Sequence, residues 1–83
     1  MQSFEDREDV EEWLAPLGWD AFWREVAPFG LELPERADCD ADIAAGSVDE
    51  ASALSVLKGM VRLELVQRYG LRPRDVMPWY ALH

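Results

Sequence analysis

The sequence predicts an all-α fold, a small single domain spanning residues 1–83 in which two short amino-terminal helices pack on one long apolar helix. Three observations carry that expectation. Two early segments place apolar residues at i, i+3, i+4 and i+7, the period of a helix face. A later segment, about 48–69, is apolar over many turns and bounded by helix start and stop signals. Between and after them, proline and glycine fall where helices should end.

The first element runs from Glu5 to Leu14, with Val10, Trp13, Leu14 and Leu17 on one stripe and Ser3 or Asp6 as its cap. Pro16 stops it. The second places Trp19, Phe22, Trp23 and Val26 at the same spacing, with Asp20 near its start and Pro28 beyond its end. The two ends repeat one pattern. Leu14-Ala15-Pro16-Leu17-Gly18-Trp19 and Val26-Ala27-Pro28-Phe29-Gly30-Leu31 are both apolar-Ala-Pro-apolar-Gly-apolar. Proline biases the preceding alanine away from the helical region and presets a turn, and glycine accepts positive φ. A repeated stop of this kind predicts a helical hairpin.

From Leu31 to Gly46 the periodicity fades, and Pro34, Asp38, Asp40, Asp42 and Gly46 dominate. An acidic connecting loop is expected here, with one helical turn at most, around Ala41 to Ala45. The long helix follows, over Val48 to Tyr69, with Ser47-Val48-Asp49-Glu50 reading as a Ser-x-x-Glu capping box and Gly70 and Pro73 closing it. Its apolar residues cover most of the circumference, which predicts burial on nearly every side. Either the rest of the chain wraps it or a second copy covers it. The polar remainder is narrow and rich in small residues, so Ser55, Gly59 and Met60 are the candidate contacts of a homodimer. Beyond Gly70 lies a proline-rich tail. Its apolar residues are expected to fold back on the body, and its Arg72 and Arg74 to pair with the acidic half.

Charge is the strongest compositional feature. Seventeen acids oppose eight bases, for a net charge of −9, and fifteen of those acids lie in residues 1–57 beside only three bases. With 49% apolar residues and four tryptophans the chain is outside the disordered class. A chain of 83 residues buries only about 60–65% of its unfolded surface, so its core must be used well.

The same inventory argues against most chemistry. One histidine, His83, and one cysteine, Cys39, supply neither a nucleophile–base pair nor a zinc set, and no glycine-rich phosphate loop appears. No enzyme activity, metal or other cofactor is expected. Asp38, Asp40 and Asp42 have the spacing of the first calcium-loop ligands, but Ile43 stands where that loop needs glycine and Asp49 where it needs glutamate. Cys39, between Asp38 and Asp40, should be a poor thiolate. The amino terminus has no signal-peptide pattern, and no uncharged stretch is long enough to span a bilayer, which points to a cytoplasmic protein with no membrane partner.

The expected function is binding. Glu5, Glu8, Asp9 and Glu12 form one stripe on the first helix, and like charges at that spacing disfavour a helix by roughly 0.2–0.5 kcal/mol per pair. With Asp38, Asp40 and Asp42 they form the candidate docking surface for a protein with a basic face. Trp79 and Tyr80 add aromatic anchors from the tail. The chain thus reads as a non-enzymatic regulatory or inhibitory protein. Two alternatives are a nucleic-acid mimic that blocks a nucleic-acid-binding machine, and a homodimeric scaffold. Direct nucleic-acid binding is disfavoured because the acidic field repels phosphates.

Overall fold

A computed structural model of the chain describes residues 3–74. The all-α expectation holds: four helices in the order α1 (Arg7–Leu14), α2 (Trp19–Val26), α3 (Arg36–Ala44) and α4 (Glu50–Tyr69), with no strand among the described residues. Trp79 and Tyr80 lie outside the described residues.

α1 begins where Asp6 takes an extended conformation and its carboxylate accepts the Asp9 amide at 2.9 Å. The Asp9 side chain accepts the Glu5 amide at 2.8 Å in return, a reciprocal arrangement that satisfies two amides at the helix start. Val10 and Leu14 are its buried residues. Pro16 follows the last turn, and the chain re-enters a helix within four residues.

The two Ala-Pro-x-Gly stops differ in detail. At the first, Gly18 has φ of −83° and serves as the extended amino-terminal cap of α2, accepting the Phe22 amide at 2.8 Å. No left-handed conformation is needed there. At the second, Pro28 continues α2 into a 3₁₀ turn, Ala27–Phe29, which Gly30 terminates at φ +60°. A helix that must start again at once needs an extended cap. A helix that ends needs a left-handed one.

The expected loop after Leu31 is in part a helix. α3 occupies nine residues and contributes no buried one. Tertiary packing therefore left no apolar period to read in its sequence. It forms on local terms: alanines at 37, 41 and 44, an acid in the first turn, and the Arg36–Asp40 pair one turn apart at 3.5 Å. Gly46, at φ +78°, closes it, with the Gly46 amide donating to Ile43 O at 3.1 Å and the Ser47 amide to Asp42 O at 3.0 Å.

α4 is 20 residues long, about 30 Å at helical rise. Its cap is Asp49, whose carboxylate accepts the Ser52 amide at 3.2 Å, and not Ser47. Ser47 is already committed to the closing turn of α3. Gly70, at φ +61°, ends the helix, and the Leu71 amide returns to Val66 O at 3.0 Å while the Leu71 side chain joins the core.

The core is one cluster. Val10 and Leu14 of α1, Phe22 and Val26 of α2, and Phe29 meet Leu57, Val61 and Leu65 of α4, with Leu71 at the far end. The four most enclosed side chains are Phe22, Leu65, Val10 and Val61. An aromatic cluster of Phe4, Trp13 and Phe29 covers one edge, its ring centres 5.2–5.9 Å apart. Trp23 stands edge-on to both Trp19 and Phe22 at another.

Of the two expected coverings of α4, the described residues do not supply the first: the chain does not wrap it on every side. Leu57, Val61 and Leu65 face inward, but Val56, Met60 and Leu63 are 64%, 39% and 59% exposed. Two eight-residue helices and a turn cover one side of a 20-residue helix and leave the opposite stripe open.

Candidate partner-binding surface

Of the predicted acidic stripe, Glu8, Asp9 and Glu12 stand on α1 while Glu5 lies before its start, and the chain's own Arg74 lies across the helical three. Its guanidinium donates to Asp6 Oδ2 at 3.0 Å, Asp9 Oδ1 at 2.9 Å and Glu12 Oε2 at 2.8 Å, and its amide donates to Glu8 Oε2 at 2.6 Å. Helical spacing puts these acids on one side, over successive turns, and the segment after α4 lies against that side, with Arg72 O at the Arg7 amide and the Arg74 amide at Glu8. The Arg74 hydrogen bonds hold the carboxyls of Asp6 and Glu12 below their ordinary range, and Glu12 and Asp6 raise the guanidinium further. The acids read as a docking surface are therefore, with Asp6, the most internally paired acidic group among the described residues, through the Arg74 expected to reach the acidic half. Glu5 stays at the rim of a cleft with Ser3, Asp9, Glu12 and Trp13.

Glu11 pairs with Arg62 of α4 at 3.2 Å. Arg7, one turn before Glu11, turns instead to Leu71 O, through Nε at 3.4 Å. Lys58 donates to Ala15 O at 3.2 Å, and Arg68 to Phe29 O at 2.7 Å and Glu64 at 2.7 Å. The basic edge of α4 is thus used to attach α1 and the 3₁₀ turn. Each cation supplies a donor to a carbonyl or carboxylate that a helix end or facing helix presents.

The three aspartates of α3 separate because they stand on a helix and not a loop. Residues two apart on a helix point to opposite sides, so Asp40 faces α2 while Asp38 and Asp42 face water. Asp40 accepts the Trp19 indole N–H at 2.7 Å and pairs with Arg36, which also reaches Asp20. Asp20 raises the Arg36 guanidinium and helps lock this junction. The calcium-loop spacing consequently brings no three carboxylates together. Glu35, Asp38 and Asp42 fall at i, i+3 and i+7, all exposed, with no ion pair among the described residues. Cys39 is half-buried on the other side of α3, and burial, then Asp42, Asp38 and Asp40, push its thiol up.

The proposed dimer contacts also divide. Ser55 and Gly59 line a shallow cleft with Glu11, Leu14, Ala15, Lys58 and Arg62, beside α1. Among the described residues, a methyl group at Gly59 would meet nothing within 4 Å, so no described backbone uses its small size. Met60 belongs instead to the exposed stripe with Val56 and Leu63. Position-by-position hydropathy cannot say which sector of such a helix stays uncovered.

What these surfaces offer is charge and apolar contact. No helix among the described residues is long and apolar enough to cross a membrane. Among the described residues no group of three His, Cys, Asp or Glu is placed to hold a metal ion. Comparison with protein-family models, with curated proteins and with solved structures found no match.

Proposed function

We propose that this protein is a non-enzymatic regulatory or inhibitory binding protein that docks a basic surface of a partner protein, with α3 as its open acidic face. The observation that carries the reading is the row of Glu35, Asp38 and Asp42. These acids stand on and at the start of a helix that contributes no buried residue, and no cation among the described residues answers them. Carboxylates in rows one helical turn apart attract clustered lysine and arginine, steer association and select the partner by charge. Affinity would come from nearby apolar surface.

The test is affinity capture from the source lysate with wild type, with Asp38→Lys plus Asp42→Lys, and with Glu8→Lys plus Glu12→Lys. Loss of a salt-sensitive partner in the α3 variant, with unchanged thermal unfolding, supports the reading. Capture indifferent to α3 charge reversal rejects it. If the partner handles nucleic acid, competition between that nucleic acid and this protein identifies mimicry.

A second reading rests on a separate observation. The exposed Val56, Met60 and Leu63 stripe favours a homodimer through α4, since monomers seldom leave contiguous apolar surface in water without a use. Light scattering at micromolar concentration decides it, with Met60→Lys expected to dissociate any dimer.

A further inference from the structure

We infer that Leu71–Arg74 is a strap whose Arg74 occupies an arginine-reading face on α1, so that a basic partner segment reaches that face only by displacing the chain's own arginine. The inference rests on the acidic-surface reading above and adds a second face to it, together with the control of access. The kind of partner it fits is an extended segment bearing arginine.

The contacts define that preference. Nε, Nη1 and Nη2 of one guanidinium serve Asp6, Glu12 and Asp9 at 2.8–3.0 Å, while the amide of the same residue serves Glu8. A planar fork with donors on several edges can bridge carboxylates on three successive positions of a helix face. A lysine ammonium, a single compact point charge, cannot span them in the same way. The amide contact adds a requirement for extended backbone at the arginine.

The strap is fastened unequally. Its inner end is held by burial of Leu71 and by the Arg7 amide donating to Arg72 O at 3.0 Å. Its outer end rests on ion pairs in contact with water, with the Arg74 side chain 43% exposed. Pairs of that kind are weak and screened by salt, so an incoming arginine can exchange with Arg74 without disturbing the core. Three carboxylates, Asp6, Asp9 and Glu12, share one guanidinium, with Glu8 on the Arg74 amide and Glu5 at the cleft rim, so acid still exceeds base and the region remains attractive to cations with the strap in place. Beside Arg74 an open cleft of about 490 Å³, lined by Ser3, Glu5, Asp9, Glu12 and Trp13, shares two of those acids with it. An incoming side chain can enter there first.

A tethered competitor acts at an effective concentration on the order of millimolar, so its removal should tighten binding of a free arginine segment by about tenfold. The probe is a dye-labelled octa-arginine peptide followed by anisotropy at low salt, with Asp38→Asn and Asp42→Asn as background to silence α3. Arg74→Gln should tighten binding, Arg24→Gln should not, although it makes the same change in net charge, and Glu8→Gln with Glu12→Gln should abolish the gain. Equal affinity for wild type and Arg74→Gln, or an equal gain from Arg24→Gln, overturns the strap. Peptide bound through α3 in the unmutated protein with no gain on releasing Arg74 sinks the strap alone. Peptide bound by neither protein sinks the acidic-surface reading with it.

Discussion

Two valines five residues apart on α4 should respond oppositely to the same truncation. Val61 is fully buried against α1 and α2, whereas Val56 is 64% exposed. Val61→Ala removes two methyl groups, worth about 0.8 kcal/mol each in transfer, and leaves a void that the surrounding residues fill only in part. Alanine's better helix propensity returns roughly 0.5 kcal/mol, so the net loss should be about 1.5–2.5 kcal/mol. An unfolding entropy of about 2.1 cal/mol/K per residue over 83 residues converts that to a fall in Tm of roughly 9–14 °C. At Val56 the propensity gain offsets the small burial lost, and the change should stay within about 0.5 kcal/mol of wild type. Urea unfolding followed by the fluorescence of the four tryptophans reads both, and equal m-values would keep the comparison a matter of stability. A Val61→Ala variant as stable as wild type would refute the packing described here. A Val56→Ala variant losing more than about 1 kcal/mol would mean that the exposed stripe is covered in solution.

Gly59→Ala should stabilise the monomer by about 0.5–1 kcal/mol, because the added methyl meets open space and the helix gains propensity; destabilisation would instead reveal a close backbone approach across a dimer. Asp6 and Glu12 have folded-state pKa values below their ordinary 3.8 and 4.5 because Arg74 hydrogen-bonds their charged forms. Their contribution is therefore present above about pH 4.5 and lost as pH falls through the lowered values, so the stability gap between wild type and Arg74→Gln should narrow steadily on acidification below the ordinary 3.8 and 4.5. A gap that is constant with pH would contradict the pairing. α3, with no buried residue, should be the first helix to exchange its amides, and Trp19→Phe, which removes the indole bond to Asp40, should speed exchange over Arg36–Ala44 while leaving Val61 and Leu65 protected.

How far the sequence could be read depended on whether an element owed its form to burial. α1, α2 and α4 repeat apolar residues at helical spacing because one face of each meets the core, so their existence and approximate limits were legible. α3 was not, since a helix held by alanines, a salt bridge and an indole bond leaves no apolar period. The cap of α4 was misplaced by two residues for a related reason: Ser47 satisfied the local pattern, but its amide was needed to close the preceding helix, and Asp49 took the role. Of the predicted site residues, the acids of α1 were placed on one face correctly, yet their state depended on a residue more than sixty positions away.

By itself, then, the sequence determined the all-α class, the helix-forming segments with their stops, the excess of acid and the scarcity of reactive side chains, all properties of local spacing and composition. The tertiary structure decided which carboxylates are answered by a cation and which sector of α4 is left in water. Both depend on what the chain brings together across long separations. The return of the segment after α4 places Arg74 on Asp6, Asp9 and Glu12, and the short reach of α1 and α2 leaves Val56, Met60 and Leu63 uncovered.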